Sequence, residues 1–264
     1  MTMKFSACIE LLYNEVQFID RIGKAKDSGF DAVEFWVWKD KDLKLIKKIC
    51  QEKRLEVSSF TGIVENQIVD PEDREKCIRD FKESLEAAIY LDCKHLVIHV
   101  NTIQNDGKAK PVSSLISDQE KENSIMNIIS SIVPQAEKAG ITLCFEPLNT
   151  LSDHMGYYLN HSSKAFEIIR KVNSPNLKLL YDIYHMQIME GNLISTIQDN
   201  LDLIAYIHIA DVPGRHEPGS GEINYENIYK KLFLLDYNGY VGFEYIPSSS
   251  TDKSLITTKR LFKF

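Results

Sequence analysis

The sequence has no Cys-x-x-Cys pair, no Gly-x-Gly-x-x-Gly or Gly-x-x-x-x-Gly-Lys segment, no long apolar run and no excess of basic charge. Each absence removes a class of protein. Five cysteines, Cys8, Cys50, Cys77, Cys93 and Cys144, are odd in number and scattered, so zinc ribbons and thioredoxin-like redox motifs are unsupported. Small core residues in a reducing cytoplasm is the simplest reading of them. Without the glycine signatures, dinucleotide-binding and P-loop readings have no support. No stretch approaches the roughly 18 apolar residues of a membrane span, and Met-Thr-Met-Lys-Phe-Ser lacks the basic-then-apolar pattern of a secretory signal. With 31 Lys+Arg against 38 Asp+Glu, the net charge of −7 argues against a general nucleic-acid binder, which needs a basic surface. No nucleic-acid or membrane partner is therefore expected; a homo-oligomer is left open.

What is present is an alternation. Short apolar runs at Lys4–Glu10, Asp31–Trp36, Leu55–Phe60, His95–Val100, Ile141–Glu146, Leu177–Asp182, Leu203–Ile209 and Tyr240–Tyr245 read as strands. Between them lie amphipathic stretches at about Glu15–Ser28, Lys41–Lys53, Pro71–Leu91, a helix ending near Gly140, Ser162–Val172, Asn192–Asn200 and Tyr225–Leu235, with a tail helix after the last strand. Alternating strands and helices imply parallel strands joined by crossovers. Eight such units in 264 residues, with no linker between them, predict one α/β domain over residues 1–264, a (β/α)8 TIM barrel.

The charged residues at strand ends carry the functional signal. In Ile141-Thr-Leu-Cys-Phe-Glu146, Glu146 alternates away from Leu143 and Phe145. Asp182 ends its strand opposite Leu179 and Tyr181. His208 lies opposite Ala205 and Ile207, and Glu244 opposite Val241 and Phe243. Four successive strands thus place one ligand-type residue at the carboxyl end, the rim that carries active sites in barrel enzymes. Singly, each could be a solvated terminus, a helix cap or a core histidine; recurrence on four strands is what outweighs that reading. Three carboxylates and an imidazole repel unless a cation sits among them. The oxygen-rich set suits Mn²⁺, Mg²⁺ or Co²⁺ rather than tetrahedral thiolate zinc.

Further candidates line the same rim. His185 stands three residues after Asp182, and His99 ends the fourth strand. Glu34 and Trp36 end the second, where Trp36 offers a sugar-like substrate an apolar wall or simply packs. The Pro- and Gly-rich stretch Asp211–Gly221 reads as a shaped loop. Within it, Arg215 suits a substrate carboxylate, and His216 binds substrate or flanks it.

The segments Phe145-Glu-Pro-Leu-Asn149, Tyr181-Asp-Ile-Tyr-His-Met-Gln-Ile-Met-Glu-Gly-Asn192, Ala210-Asp-Val-Pro-Gly-Arg-His-Glu-Pro-Gly-Ser-Gly-Glu-Ile-Asn-Tyr225 and Gly239-Tyr-Val-Gly-Phe-Glu-Tyr245 resemble the hydroxypyruvate isomerase family, part of the sugar isomerase/epimerase group. The resemblance implies a divalent metal held by Glu146, Asp182, His208 and Glu244. Glu146 and Glu244 would also be the acid/base pair, and His185 and Arg215 would contact substrate. The implied reaction interconverts a short hydroxy-keto acid with its aldehyde isomer, such as hydroxypyruvate with tartronate semialdehyde or a 2-oxo-tetronate with its isomer, by enediolate proton transfer. Relatives in that branch often carry Gln where His208 stands, and ketose 3-epimerases acting on free sugars carry His, so epimerisation is the alternative. The epimerases also tend to carry a Glu in the loop where this chain reads Asn149-Thr-Leu-Ser-Asp153, which leans away from them. A repair endonuclease of the same superfamily uses extra His and Asp ligands; His99, His185 and His216 could match some of them, but Ser58-Ser-Phe-Thr61 offers no His and Gly214 stands where an Asp would be. A non-catalytic ligand-binding barrel is the remaining class.

Overall fold

The structure, a computed structural model, describes residues 3–263. Its strands are β1 (Lys4–Cys8), β2 (Ala32–Glu34), β3 (Glu56–Thr61), β4 (His95–Ile98), β5 (Thr142–Phe145), β6 (Leu177–Asp182), β7 (Ile204–Ile209) and β8 (Tyr240–Phe243). Each pairs in parallel with the next, and β8 pairs back on β1 through Phe5↔Val241 and Ala7↔Phe243, closing the barrel. The helices are α1 (Phe18–Asp27), α2 (Leu43–Lys53), α3 (Arg74–Leu91), α4 (Asp118–Ala139), α5 (Ser162–Val172), α6 (Ile183–Met189), α7 (Leu193–Asp199), α8 (Tyr225–Leu234) and α9 (Thr251–Phe262). Local chemistry sets their ends. Ser117 and Glu120 form a reciprocal capping box at the start of α4, and Gly140, at φ +64°, supplies the left-handed residue that stops it.

The alternation along each strand separates two cores. Leu143, Phe145, Leu179, Tyr181, Ile207, Val241 and Phe243 belong to the apolar layer between sheet and helices. Phe243 is packed edge-on by Phe5 and Phe30 at ring-centroid distances of 5.8 and 5.1 Å, and α9 brings Phe262 to 5.5 Å from it. The intervening residues Val97, Cys144, Leu180 and Tyr206 form a second, smaller cluster inside the barrel. Two residues further along the same strands stand His99, Glu146, Asp182 and His208. The period of two therefore carries this set onto the carboxyl-end mouth, as the sequence pattern requires.

Some elements differ from the sequence reading. β1 stops at Cys8 rather than Glu10, because the chain turns at once, with Leu12 N donating to Cys8 O. The stretch 71–91 begins as a 3₁₀ turn, Pro71–Asp73, before α3. α6 was not expected as a separate helix. It leaves β6 without a loop, capped by the Asp182 carboxylate accepting from His185 N at 3.1 Å, and its seven residues are too few for a periodicity. Ala205 packs with the inner cluster rather than opposite His208, because it is the extra residue where the β6–β7 register shifts between Leu179 and Leu180. All five cysteines are buried and free. No helix among the described residues is long and apolar enough to cross a membrane.

Candidate metal and active site

Glu146 and Glu244 immediately follow β5 and β8, Asp182 ends β6, and His208 sits in β7 directly beside Asp182 in register. All four are buried, and one ligand atom from each lies within 4.8 Å of the others. His208 Nδ1 is 3.3 Å from Glu146 Oε1, 3.5 Å from Glu244 Oε2 and 4.0 Å from Asp182 Oδ2. Yet neither ring nitrogen of His208 makes a hydrogen bond. Ligand atoms around a small divalent ion bonded at about 2.1 Å stand about 3 Å or more apart, so this spacing fits a cation better than direct hydrogen bonding.

The electrostatics agree. Burial opposes a charged His208, but Glu244, Glu34 and Glu146 outweigh it and push the imidazole well above its ordinary value. Burial raises Glu146, but His208 and His99 hold it well below the usual carboxylate range. Glu244 is likewise lowered against burial, by His208 and Arg215. Burial, aided by Glu146 and Glu244, pushes Asp182 up to about 7 against the pull of Arg215 and His208. The carboxylates draw positive charge into their midst, and a divalent cation would take the place of the imidazole proton.

The remaining rim residues orient this group. Behind His208, Glu34 Oε1 lies 3.1 Å from Nε2, the nitrogen turned away from the other three ligand residues. Tyr206 OH donates to Glu34 Oε2 and also lies 2.8 Å from Ser58 Oγ, which in turn is 2.6 Å from Ser6 Oγ. Were the imidazole a metal ligand, a carboxylate in this position would fix its tautomer and ring plane. Glu34 is only 3 % exposed, so the structure places it beneath the ligands rather than at the open mouth. Gly242 makes room for this arrangement: a Cβ there would lie 2.6 Å from both Glu34 Oε1 and His208 Cδ2. His99 Nε2 is 2.8 Å from Glu146 Oε2. Trp36 Nε1 donates to Glu244 Oε1 at 2.7 Å while the residue stays 42 % exposed.

Arg215 comes from the loop after β7. Its Nη2 pairs with Glu244 Oε2, and its Nε is buried without a partner. The loop is tied together by Asp211, whose carboxylate accepts from Val212, Gly219 and Ile223 N–H at 2.8–3.0 Å. Arg215 adopts a left-handed φ of 56°, and its carbonyl accepts from Ile246 N at 2.7 Å. His216 answers with its Nδ1 2.8 Å from Ile246 O, so its imidazole joins the loop to the segment after β8. His185 is fully buried; its Nε2 lies 3.5 Å from Asp182 Oδ2 and is the ring nitrogen without a hydrogen bond. Burial, then Arg215, hold its pKa well below the ordinary value, leaving it neutral.

Sequence reasoning missed several groups. Tyr206 and Ser58 read as strand residues, and only barrel closure brings them under Glu34. Tyr157, in the loop before α5, donates to Glu146 O and accepts from Val100 N at 3.0 Å each. Asn149, within a quoted motif but given no role, holds His185 Nδ1. Two surface clefts of about 370 and 450 Å³ lie elsewhere, one lined by Ser162, Arg170 and Glu190, the other by Phe18, Arg21 and Lys41; neither includes a member of the cluster.

Closed barrel and acidic rim together define the class: residues 22–261 match the model of the xylose isomerase-like TIM barrel family, and the chain belongs to that family. It is 33% identical over 253 residues to the hydroxypyruvate isomerase of Escherichia coli, covering 96% of this chain and 97% of that one. It is 29% identical over 261 residues to the 2-oxo-tetronate isomerase of Cupriavidus necator, covering 96% of each. Within the barrel family, the chain is thus an isomerase of the hydroxypyruvate isomerase group. Among solved structures, one from Brucella melitensis described as AP endonuclease, family 2, aligns at a TM-score of 0.89 and 28% identity over 98% of this chain and 99% of that one. The D-psicose 3-epimerase of Clostridium cellulolyticum shares the fold at a TM-score of 0.80 and 17% identity, over 98% and 99% of the two chains.

Proposed function

We propose that this isomerase is metal-dependent and interconverts a short hydroxy-keto acid and its aldehyde isomer, hydroxypyruvate with tartronate semialdehyde or a 2-oxo-tetronate with its counterpart. The observation that carries the reading is the buried group of Glu146, Asp182, His208 and Glu244, whose ligand atoms lie within 4.8 Å of one another. These four would hold Mn²⁺, Mg²⁺ or Co²⁺. Bound there, the ion supplies polarisation of the carbonyl and stabilises the negative charge that develops on its oxygen.

The chain's own residues then move protons. One of Glu146 and Glu244 removes the C–H proton from the carbon bearing hydroxyl, and the pair returns a proton to the adjacent carbonyl carbon. The hydroxyl proton passes to the former carbonyl oxygen, so a ketone becomes an aldehyde with no net gain or loss of atoms. Both carboxylates are held in place for this, Glu146 by His99 and Glu244 by Trp36 and Arg215. Arg215 spends one amine on Glu244 and keeps its buried Nε for the substrate carboxylate. Trp36 offers an exposed ring as a wall at the mouth.

The test is a side-by-side assay of hydroxypyruvate, 2-oxo-tetronates and free ketohexoses with each metal. Turnover of the keto acids, lost on chelation and in Glu146→Gln and Glu244→Gln, is expected. Preference for ketohexoses would replace this reading with 3-epimerisation, and full activity in both variants would end the mechanism. The likeness to the Brucella structure makes cleavage of abasic DNA the second activity to assay, against which the net charge of −7 weighs.

A further inference from the structure

The hydrogen bonds around Asn149 decide which nitrogen of His185 carries its proton. Asn149 Oδ1 faces the backbone N–H groups of Ser152 and Asp153 at 3.0 and 3.1 Å. Backbone N–H groups only donate, so the atom they share must be the amide oxygen. The other side-chain atom is then the amide nitrogen, and its two hydrogens have two acceptors. One is Asp153 Oδ2 at 2.6 Å, a carboxylate oxygen also receiving Tyr184 OH at 2.8 Å. The other is His185 Nδ1 at 2.8 Å. Asn149's own backbone N–H points at the same Nδ1, at 3.4 Å. Every group facing Nδ1 is a donor, so Nδ1 must present a lone pair. A neutral imidazole with a bare Nδ1 carries its hydrogen on Nε2. That Nε2 is fully buried, has no hydrogen-bond partner, and stands 3.5 Å from Asp182 Oδ2, beside the ligand cluster.

We propose that Asn149 is a positioning residue that locks His185 as the neutral Nε2–H imidazole, making His185 a fixed hydrogen-bond donor to the substrate oxygen on which negative charge develops, and never the proton acceptor. The donor role rests on the reaction proposed above; the tautomer rests on the hydrogen bonds alone. An unpartnered N–H aimed in advance at a developing oxyanion costs no reorganisation during reaction. The division of labour follows: the glutamates exchange protons, and His185 only donates.

The experiment is ¹⁵N NMR of the histidine side chains in the Mg²⁺-loaded full chain, with His185→Gln to assign the resonance. A pyridine-like Nδ1 and a pyrrole-like Nε2 are expected. The double variant Asn149→Asp/Asp153→Asn keeps the oxygen that receives the Ser152 and Asp153 N–H groups. It replaces the nearer, side-chain donor facing Nδ1 with an acceptor, leaves only the backbone N–H at 3.4 Å, and avoids two facing carboxylates. Its His185 should invert to Nδ1–H, and kcat should fall by about a hundredfold with KM within about twofold, the pattern of a donor lost from the transition state. A pyrrole-like Nδ1 in the unmodified chain would overturn the proposal even if the variant did not fold. An inverted tautomer with unchanged kcat would overturn the donor role. If the unmodified chain turned over neither keto acid, the proposed function would fail and the donor role with it, while the nitrogen shifts would still decide what Asn149 does.

Discussion

Replacing Gly242 by alanine tests whether the ligands and their support are seated as described. The added Cβ would fall 2.6 Å from Glu34 Oε1, 2.8 Å from Glu34 Oε2 and 2.6 Å from His208 Cδ2. Neither neighbour can swing away cheaply. Glu34 is held by Tyr206 and flanked by Ser58, and His208 is enclosed by the other ligands. Overpacking of this kind costs about 1–3 kcal/mol, and in a chain of this size each kcal/mol lowers Tm by about 2–4 °C. The more specific effect is on the metal. Displacing a group behind a ligating histidine weakens metal binding by about 10- to 100-fold. Gly242→Ala should therefore lower both Tm and Mn²⁺ affinity, read by calorimetry on the same preparation. Gly23→Ala is the control. Gly23 lies within α1, and a Cβ there meets nothing within 4 Å, so its replacement should stabilise the chain by about 0.5–1 kcal/mol with metal affinity unchanged. Unchanged Mn²⁺ affinity in Gly242→Ala would refute the placement of Glu34 and His208.

Other expectations follow from single contacts. Trp36→Phe keeps the wall but removes the N–H held by Glu244 Oε1, and should cost about 1 kcal/mol, roughly fivefold in kcat/KM for the keto acid. Asp211→Ala removes the acceptor of three loop N–H groups; a stability loss of about 2–4 kcal/mol and a raised KM for carboxylate substrates are expected, by thermal melting and steady-state kinetics. Burial pushes His95 down to about 4, against a hydrogen bond to Ser58 O. Because the unfolded chain protonates at higher pH than the folded one, His95 costs nothing above about pH 6.5, and stability falls as pH drops from about 6.5 toward 4. The loss is at most about 3 kcal/mol. His95→Gln should flatten that part of a urea-melt pH series; an unchanged slope would assign it elsewhere.

Much of this architecture is legible in the residues. The strand–helix rhythm needs only apolar periodicity, and the helix spans at 162–172 and the strand at 177–182 coincide with the structure. The convergence of Glu146, Asp182, His208 and Glu244 follows from parity, since a period of two on parallel strands puts equivalent positions on the axis. Parity fails where register shifts. The β2–β3 pairing slips between Val33 and Glu34, making Ser58 the extra residue, so no alternation within β2 alone could tell that Glu34 sits under His208. The same slip in β6–β7 moved Ala205. His216 and Asn149 lie in loops, where side-chain direction depends on partners contributed by distant segments, Ile246 O for one and His185 for the other. Composition and spacing contain no record of those meetings.

The four clustered side chains and three of the groups that bear on them come from different halves of the chain. Glu146, Asp182, His208 and Glu244 all lie in the second half, whereas Glu34, Trp36 and His99, which bear on His208, Glu244 and Glu146, lie in the first. Inheritance can therefore act on the two sets separately. A lineage could keep all four side chains of the cluster and still drift in substrate by exchanging residues 34, 36 or 99. Identical ligand sets in two descendants of this barrel are thus weak grounds for assuming a common reaction, and the amino-terminal strands are where their divergence would be written.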